Sequence, residues 1–478
     1  MATLLFLQNI NYEFLGPMYI SSMVKRHGHE CQLVVGQTLE DFAPVLDRVR
    51  PDLVGFSVMT GTHGWARDIA ARIKRKYGIP NIFGGAHATF FPQFGEAPPV
   101  DLLVRGEGEE STLEVLDRLD SGKPLDDIPN LCIRRNGSIV RSPLRRLRGD
   151  LDDYPFPDRH LYDCLNSRVD RGVCNVISSR GCPFHCSFCF EDAMRQLYKG
   201  KGPYVRIRRV QKVLEECVGL KTEMDVRVIY FADDVFGLNK SWLYRFLPLF
   251  KKEVGLPFVC LVRADIVASD EEYAFRLADG GCSSVFFGIE SGNELLRNRI
   301  LNKQLKDKDI LKAAELLHRA GIRFRTYNMM GLPDETLEDA LATVELNIRI
   351  KTDYPWCSVF SPLPGTELTD YAVRRGYLKG ERGYDCFSPS FFVDSRLDLP
   401  DIRQMVNLQK FFQTAVLWPW TLPIIKRLIR LDPNHLFVWW FGFVYFLNYV
   451  RSERRRFWES LKSAFANYRH VLGKRRVV

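Results

Sequence analysis

Three cysteines lie within eight residues, at Cys182, Cys186 and Cys189, directly after a strand-like run from Val173 to Ile177. The Cys-x3-Cys-x2-Cys spacing puts three soft ligands on one tight loop. Thiolates select iron–sulfur clusters, zinc or copper(I) over hard cations. Because iron–sulfur clusters usually take four cysteines, a cluster here would leave one iron open to a ligand that is not protein. We therefore predict a metal site with chemistry at its open position.

A structural zinc site is the alternative, completed by His185 or a more distant cysteine, since closed Cys3His sites are common. The cysteine spacing, together with Pro183 and interleaved aromatic residues, resembles the cluster loop of the radical S-adenosylmethionine (SAM) superfamily. The resemblance implies that the three cysteines hold a [4Fe-4S] cluster. It also implies that the unique iron chelates the amino and carboxylate groups of SAM.

Composition argues against a secreted, disulfide-linked protein. The chain has 478 residues, a length that favours about three domains. Its 12 cysteines accompany an N-terminus that runs straight into a strand-like Leu4 to Leu7 without a basic signal region. We therefore expect a cytoplasmic protein. The net charge of +9 comes from Ile424 to Val478, which holds twelve Lys and Arg against three Asp and Glu.

The first 120 residues alternate short apolar strands with amphipathic helices. Trp65, Ile69 and Ile73, for example, recur at helical spacing. This alternation predicts an α/β fold with a doubly wound, Rossmann-like sheet, in which ligands bind beyond the carboxyl ends of the strands. The predicted strands are Leu4–Leu7, Gln32–Val35, Leu53–Val58, Asn81–Gly84 and Leu102–Val104.

Small and polar residues follow three of these strands, and small residues let a ligand approach the backbone closely. Ordinary turns are the alternative for each loop taken alone. The set resembles the cobalamin-binding domain that precedes many radical SAM domains, across residues 1–140. The resemblance implies a bound cobalamin. The residues assigned to it are Ser57, Thr60, Gly61, Gly84, Gly85, His87, Gly106, Glu107 and Gly108.

The resemblance also has an implication for the ligand of the cobalamin cobalt. Cobalamin proteins that use a histidine as lower ligand carry Asp-x-His-x-x-Gly after the first strand, whereas this chain has Gln8-Asn9-Ile10-Asn11-Tyr12. A cobalt without a histidine ligand is therefore implied. His63 and His87 are interpreted as loop or cofactor-tail contacts.

Residues 141–172 lack sustained helical periodicity and are predicted to be a linker, preceded by a small hairpin around Asn136-Gly137. Alternation then resumes over residues 173–391. Six parallel strands are too few to close an eight-stranded barrel, so we predict an open, partial (β/α)6 barrel with its site at the carboxyl face. The predicted strands are Val173–Ser178, Val228–Phe231, Phe258–Val262, Ser284–Gly288, Phe324–Met330 and Cys357–Phe360.

Polar groups again follow the strands, and carboxylates and arginine suit the ammonium, ribose and carboxylate groups of SAM. Surface ion pairs and helix caps are the alternative, notably for Asp334 and Glu335. In order, these segments resemble the radical SAM core, except that Asp334 stands where members commonly have glycine. The resemblance implies SAM contacts from Asp233, Asp234, Arg263, Glu290, Ser291 and Gly331.

Residues 392–478 are predicted to form a helical extension with two aromatic-rich apolar runs, Phe411–Ile425 and Leu436–Val450. The second run is shorter than the ~20 residues that cross a membrane. Apolar aromatics beside clustered arginines are typical of peripheral membrane contact, and a buried helical cap is the equal alternative. Nucleic-acid binding is disfavoured, because the arginines flank long apolar runs.

The resemblance implies a cobalamin-dependent radical SAM enzyme that methylates an unactivated carbon of a small-molecule or lipid-like substrate. It also implies an electron donor such as flavodoxin or ferredoxin. Non-methylating radical reactions, such as oxidative ring formation in tetrapyrroles, are the first alternative. A cobalamin sensor and a zinc-stabilised interaction module are more distant ones.

Overall fold

The computed structural model describes residues 1–462 and 464, except 97, 136, 166–168, 364, 379–391 and 393–394. The strands form one seven-stranded sheet, one six-stranded sheet and a short two-stranded pair. Asn136 of the predicted hairpin and residue 391 at the predicted domain end lie outside the described residues. The boundaries at 140, 172 and 391 stay predictions.

The first sheet is the predicted doubly wound sheet. Its first five strands are parallel in the order β2-β1-β3-β4-β5, and β6 and β7 add an antiparallel edge. Separate apolar clusters cover its two faces, as helices on both sides require. The strands are β1 (Thr3–Gln8), β2 (Glu30–Val35), β3 (Leu53–Ser57), β4 (Asn81–Gly84), β5 (Leu102–Val104), β6 (Leu131–Arg135) and β7 (Ser138–Arg141); the helices are α1 (Leu15–Arg26), α2 (Leu39–Val49), α3 (His63–Tyr77), α4 (Ala86–Phe90) and α5 (Glu109–Ser121).

The second large sheet is the predicted partial barrel. Its six strands are all parallel and neighbour one another in chain order, so β8 and β15 are its two edges. A short antiparallel pair, β9 with β10, lies beside the start of the cysteine loop. The strands are β8 (Val173–Val176), β9 (Ser179–Arg180), β10 (Arg206–Ile207), β11 (Val228–Phe231), β12 (Phe258–Leu261), β13 (Cys282–Glu290), β14 (Arg323–Met330) and β15 (Tyr354–Val359).

Helices cover the outer face of this sheet and bury one large apolar core. On α8, Trp242, Phe246 and Phe250 recur at spacings of four, and Phe246 and Phe250 pack against Phe231 of β11. These helices are α6 (Phe190–Leu197), α7 (Val210–Glu223), α8 (Lys240–Glu253), α9 (Ala264–Ala268), α10 (Glu271–Asp279), α11 (Glu294–Arg299), α12 (Asp307–Arg319), α13 (Leu337–Arg349) and α14 (Glu367–Arg374).

The C-terminal extension is helical, as predicted. Helix α15 (Ile402–Leu417) is buried against α13 and β15, where the Gln409 side chain donates a hydrogen bond of 2.8 Å to the Cys357 carbonyl. Helices α16 (Leu422–Leu428) and α17 (His435–Ser452) follow. Within the described residues, no helix combines the length and apolar character needed to cross a bilayer.

The predicted linker is packed between the two large sheets. Tyr162 is buried and donates a 2.9 Å hydrogen bond to Gln8 of β1. Arg159 is also buried, and it donates bonds of 2.7 Å to the Glu216 carboxylate and to the Asn175 carbonyl of β8. The segment therefore bonds to both sheets and holds one against the other.

We expect Gly292→Ala to destabilise the fold, because a β-carbon there would lie 2.3 Å from the Ala342 backbone carbonyl. Overpacking of this kind costs about 1–3 kcal/mol. Gly219→Ala is the matched control, since Gly219 is inside α7 with open space around its Cβ position. It should stabilise by up to ~1 kcal/mol. Thermal unfolding midpoints measure both, and an unchanged midpoint for Gly292→Ala would contradict the close approach.

Candidate active site

The cysteine loop lies between β9 and α6, beyond the carboxyl end of β8. The Cys189 amide donates to the Cys186 carbonyl at 3.1 Å and closes a tight turn just before α6 begins. Ser187 fixes the loop from the side, because its amide donates to the Leu301 carbonyl at 3.0 Å and its hydroxyl to the Ile300 carbonyl at 2.6 Å. The three cysteines are thus held against the chain that follows α11.

The donor set suits an iron–sulfur cluster. Burial raises the pKa of the Cys182 thiol to about 11 and that of Cys189 to about 12, so stable thiolates there need nearby positive charge. The backbone N–H groups of Phe184 and Glu191 are directed at these two thiols and favour their ionised forms. Hydrogen bonds to cluster sulfurs are one of the means by which proteins tune such clusters.

His185, the candidate fourth zinc ligand, is directed elsewhere. Its Nδ1 atom lies 3.2 Å from an Asp192 carboxylate oxygen, and its ring is exposed. Across the described part of the chain, no three His, Cys, Asp or Glu side chains converge as ligands of a single ion. In a cubane cluster each cysteine binds its own iron atom, so the thiols need not converge on one point.

Arg263 and Glu290 follow neighbouring strands, and both are buried. Arg263 donates two hydrogen bonds of 3.0 Å to Asp265, and its guanidinium lies 3.6 Å from the ring centre of Phe184 in the cysteine loop. Glu290 has a left-handed backbone (φ 69°) and accepts a 2.9 Å bond from Lys303. The Lys303 carbonyl in turn accepts from Arg263 at 3.0 Å. The structure therefore joins both residues into one network beside the loop.

The two adjacent aspartates after β11 have different surroundings. Asp233 is buried and accepts hydrogen bonds from the Ser178 amide and hydroxyl, at 3.1 and 2.7 Å, and from the Ser179 hydroxyl at 2.5 Å. It therefore holds the chain that enters the cysteine loop. Asp234 instead lines a cavity, where surrounding protein and then the Glu191 carboxylate raise its pKa to about 7.

Ser291 and Gly331 belong to turns at the ends of β13 and β14. The buried Ser291 hydroxyl accepts from the Asn293 amide at 3.2 Å. Gly331 has φ 77°, and its amide donates to the buried Glu335 carboxylate, as does the Leu332 amide at 2.9 Å. Burial raises the pKa of Glu335 to about 8. Glu335 thus fixes the turn after β14, whereas the N-cap of α13 is Thr336, whose hydroxyl accepts from the Asp339 amide at 3.2 Å.

Asp334 replaces the glycine that the family resemblance would place in this turn. Its backbone is left-handed (φ 62°), a conformation that glycine adopts most readily. Its carboxylate accepts hydrogen bonds from the Tyr371 and Tyr377 hydroxyls. These contacts offset the backbone strain, so the turn keeps a glycine-like conformation.

A cavity of about 380 Å³ lies where the carboxyl ends of the two sheets face each other. One side comes from the barrel and includes Gly181, Glu191 and Asp234 beside the cysteine loop. The other side comes from the loops after β3, β4 and β5. It contains six of the nine residues predicted to contact cobalamin: Ser57, Gly84, Gly85, Gly106, Glu107 and Gly108.

The other three predicted residues, Thr60, Gly61 and His87, do not line this cavity. His87 is buried and stacks on His63 with ring centres 3.9 Å apart, and the Thr60 hydroxyl lies 3.1 Å from His87 Nδ1. Burial and then the neighbouring His63 lower the pKa of His87 to about 3. Both histidines therefore pack inside the first domain, His63 at the start of α3 and His87 in α4, whereas the sequence interpretation placed them on loops.

The sequence analysis did not identify three residues that line the cavity, Arg180, Tyr198 and Arg206. A β-carbon on Gly106 would lie 1.9 Å from the Tyr198 hydroxyl, which also accepts from the Glu107 amide at 2.9 Å. The Glu107 carboxylate pairs with Arg206 and, at 3.3 Å, with Arg180. Burial alone would raise the pKa of Glu107, but the two guanidinium groups outweigh it and lower that pKa. These partners are far apart in the chain, so only the fold brings them together.

Comparison with known proteins agrees with this arrangement. Residues 176–346 match the radical SAM superfamily, and residues 12–116 match the B12-binding domain. An uncharacterized methyltransferase of Pyrococcus horikoshii is 31% identical over 374 residues, covering 76% of this chain and 79% of that protein. The hopanoid C-3 methylase of Methylococcus capsulatus is 25% identical over 84% of this chain and 76% of that protein.

Solved structures share the fold. The cobalamin-dependent SAM radical enzyme OxsB, with aqua-cobalamin and SAM bound, has a TM-score of 0.70 at 16% identity, covering 95% of this chain and 72% of that chain. TsrM, a radical SAM methyltransferase from Kitasatospora setae solved with cobalamin and a [4Fe-4S] cluster, has a TM-score of 0.65 at 19% identity, covering 80% and 77%. The predicted fold class is confirmed.

The family matches also confirm the predicted cofactors, which are a [4Fe-4S] cluster, SAM and cobalamin. The chain belongs to the radical SAM superfamily, as an enzyme that carries a B12-binding domain ahead of its radical SAM core.

Proposed function

We propose that this enzyme transfers a methyl group to an unactivated carbon of a small, lipid-like molecule. The observation that carries the proposal is the shared cavity, because residues beside the cysteine loop and residues at the B12-type strand ends line it together. When bound, the cofactors would supply a 5′-deoxyadenosyl radical that abstracts hydrogen and a methyl group to replace it. The methyltransferase and methylase names of two relatives support the same reaction.

In this proposal the chain orients the cofactors and excludes water. Cys182, Cys186 and Cys189 hold the cluster. Arg263 would bind the SAM carboxylate, and its stacking on Phe184 of the cysteine loop supports that role. The remaining proposed SAM contacts are Asp234, Glu290, Ser291 and Gly331, with Asp233 holding the entry to the loop.

The cobalamin side of the cavity is proposed to act mainly through its small residues. Gly84, Gly85 and Gly108 leave the backbone open to a flat macrocycle. Gly85 has φ 94°, and a β-carbon there would lie 2.7 Å from the Val58 carbonyl. Ser57 and Glu107 add polar groups at the edge of this surface.

A different radical reaction is the second candidate. An anaerobic magnesium-protoporphyrin IX monomethyl ester cyclase of Rubrivivax gelatinosus is 26% identical over 82% of this chain and 72% of that protein. Anaerobic incubation with SAM labelled at its methyl carbon and a bacterial lipid extract separates the two reactions. Label in a lipid product heavier by ~14 mass units, the increment of one CH2, supports methylation. A modified product without label would contradict it.

An electron donor such as flavodoxin or ferredoxin is proposed as partner, because the cluster must receive one electron before it can cleave SAM.

Replacing Cys182, Cys186 and Cys189 together by alanine should abolish cluster loading and 5′-deoxyadenosine release, because no soft ligands would remain on the loop. Cobalamin should stay bound, since its proposed contacts come from the first sheet. Iron and sulfide content, deoxyadenosine release and the corrinoid absorption spectrum measure the three effects. Cys164→Ala, at an exposed cysteine outside the loop, is the matched control. SAM cleavage by the triple variant would contradict the assignment.

Bound cobalamin should lack histidine coordination. Among the described residues that line the cavity there is no histidine. Gln8, at the position where cobalamin proteins with a histidine lower ligand begin their Asp-x-His-x-x-Gly motif, donates its side-chain amide to the Tyr12 carbonyl at 2.7 Å. The Co(II) form should therefore show no nitrogen hyperfine splitting from an imidazole in its electron paramagnetic resonance spectrum. Imidazole splitting that disappears in a His63→Ala or His87→Ala variant would contradict the prediction.

Peripheral membrane contact is a separate proposal, supported by exposed aromatic residues of the extension. Trp420, Trp439 and Trp458 are 74%, 72% and 72% exposed. Tryptophan is enriched where proteins meet the membrane–water interface. The same part of the surface exposes further large apolar side chains: Trp418, Ile424, Leu431, Leu436, Trp440, Phe443 and Phe457.

Unpaired basic residues accompany these aromatic ones. Arg427, Arg430, Arg451 and Arg454 are exposed and make no ion pair with the described residues. Each basic residue near an anionic leaflet contributes ~1 kcal/mol, so several together suffice for peripheral binding. The extension therefore exposes both the aromatic and the basic side chains that an interfacial contact needs.

Full-length protein should float with anionic vesicles of phosphatidylglycerol and phosphatidylcholine, and less with phosphatidylcholine alone. The triple variant Trp420→Ala/Trp439→Ala/Trp458→Ala should remain in the soluble fraction. Phe275→Ala/Leu295→Ala, at exposed apolar residues elsewhere, should float like the wild type. The test uses substitutions because a truncation near Arg403 would also remove α15, which is part of the core. Equal flotation of the two variants would contradict membrane contact and favour the alternative, in which the extension is only a helical cap.

A further inference from the structure

The two faces of the barrel sheet are sealed to different degrees. Residues that point outward, such as Cys174 and Ile229, are at most 1% exposed under the covering helices. Their alternate neighbours Asn175 and Tyr230 keep accessible surface, as does Tyr327 of β14. Because successive strand residues face opposite sides, this accessible surface lies inside the barrel. The barrel interior therefore keeps accessible surface, and the space that these side chains border is called the chamber.

The floor of the chamber is apolar and carries no unpaired charge. Val173, Val228, Val259 and Phe286 form a small cluster of their own at the inner face of the strands. The Arg325 guanidinium lies 4.3 Å from the ring centre of Phe286, and its charge is met by Glu453 at 3.3 Å and by the Ser452 hydroxyl.

The end of helix α17 bridges the gap between the two edges of the sheet. Glu453 binds Arg325 of β14, next to the edge strand β15. Two residues further on, the Arg455 guanidinium donates to the Asp170 carbonyl at 3.3 Å, and the Arg456 amide donates to the Asp170 carboxylate at 2.9 Å. Asp170 also accepts from the Gly172 amide at 3.0 Å, immediately before the opposite edge strand β8. The C-terminal extension thus closes the partial barrel.

Aromatic rings run without interruption from the strands to α17. The Tyr327 and Trp356 ring centres are 5.2 Å apart, and Trp356 lies 5.7 Å from Phe392. Phe392 lies 5.4 Å from Tyr445 of α17, which stacks on Tyr449 at 6.2 Å. These two tyrosines are four residues apart and so share one face of the helix.

The chamber lining is neutral but can donate hydrogen bonds. Burial raises the pKa of Tyr230, Tyr445 and Tyr449 above the ordinary value, so each keeps its hydroxyl proton. Tyr12, from the loop after β1, accepts a long bond of 3.5 Å from Asn175 and is 43% exposed. Hydroxyl groups are thus available to a substrate.

The chamber leads to the cysteine loop. Ile177 and Ala232 come two residues after Asn175 and Tyr230, on the same face of their strands, and both line the 380 Å³ cavity. A molecule held between the tyrosines could therefore extend one end toward the cluster and SAM.

We propose that α17 is the specificity-determining wall of a substrate chamber, and that this chamber takes a neutral molecule with a bulky fused-ring hydrocarbon skeleton and few hydroxyl groups. Flat aromatic rings suit such a skeleton by area and shape. Phosphorylated or nucleotide-linked molecules are disfavoured, because the arginines described around the floor are already paired with carboxylates. This deepens the proposed function and rests on it for the reaction, although binding can be measured without turnover.

The same helix has a second face. Trp439 and Phe443 are 72% and 57% exposed on the side away from Tyr445 and Tyr449. If the extension docks on a bilayer, α17 would separate the lipid surface from the chamber by a single helix. That placement suits a substrate that is drawn from the membrane.

Photolabelling with a sterol that carries a diazirine tests the chamber on cofactor-loaded, full-length protein. Cross-links located by mass spectrometry are expected on chamber residues such as Tyr327, Tyr445 and Tyr449, and unlabelled sterol should compete while cytidine monophosphate should not. Labelling confined to the outer face around Trp439, or competition by the nucleotide, would overturn the proposal.

Variants of α17 give the matched comparison. Tyr445→Ala/Tyr449→Ala should lower competable chamber labelling about tenfold, a loss equivalent to ~1.4 kcal/mol of binding. Trp439→Ala, on the outer face, should label like the wild type, and Tyr445→Phe, which keeps the ring but loses the hydroxyl group, should label between the wild type and the double variant. Unchanged iron content and cobalamin binding show that each variant is folded. Equal labelling of all four proteins would also overturn the proposal.

The two proposals fail separately. Chamber labelling without transfer of the SAM methyl label would contradict the methylation proposal and leave the chamber in place. Methyl transfer to a lipid without chamber labelling would contradict the chamber proposal and leave the methylation proposal in place.

Discussion

Ion pairs between the first sheet and the barrel hold together the two surfaces that make the cavity. Glu107 and Glu109 follow β5, and they pair with Arg180 and Arg206 of the short strands that flank the cysteine loop. Desolvating these charges is costly, and the cost is recovered only when each partner is in place. The contact therefore specifies one relative position of the sheets. Tyr198 adds to it by occupying the space that Gly106 leaves free.

The relative position of the two sheets, set by these ion pairs, determines which chemistry the site can support. The cysteine loop faces the B12-type strand ends across about 380 Å³, so the two cofactors of the family are expected to meet without a large movement of the domains. The loop itself is rigid, since Ser187 bonds to the chain after α11 and also accepts from the Leu368 amide at 2.9 Å. A loop held on both sides would keep a bound cluster at one place relative to the cavity.

The C-terminal extension has more than one structural role. Helix α15 completes the core at β15, the end of α17 closes the gap in the barrel, and α17 also exposes aromatic residues. A helix that is apolar on every side is usually buried. Here one face of α17 lines the chamber and the opposite face is uncovered, which explains why its apolar residues show no helical stripe.

The sequence by itself determined the fold class and predicted the cluster ligands. Alternating apolar segments predicted the five parallel strands of the first sheet and the six strands of the barrel, each boundary to within three residues, because strand and helix periodicities are local properties. Cys182, Cys186 and Cys189 were recognisable for the same reason, since their spacing lies within one loop. The glycines after β4 and β5 were also found, because a close approach to the backbone demands small residues wherever it occurs.

Only the tertiary structure decided which polar residues face the cavity. The sequence analysis assigned His87 to a loop that contacts cobalamin, yet the residue is buried against His63. The reason is that the α4 segment that carries His87 packs onto the core of the first domain. Asp233 and Asp234 are neighbours in the chain, but one holds the entry to the cysteine loop and the other lines the cavity. Arg180 and Arg206 carried no sequence signal, and α17 was predicted as an apolar helical run but without its contacts to the barrel. These roles depend on partners 71 to 286 residues away, and such pairings arise from packing and not from local pattern.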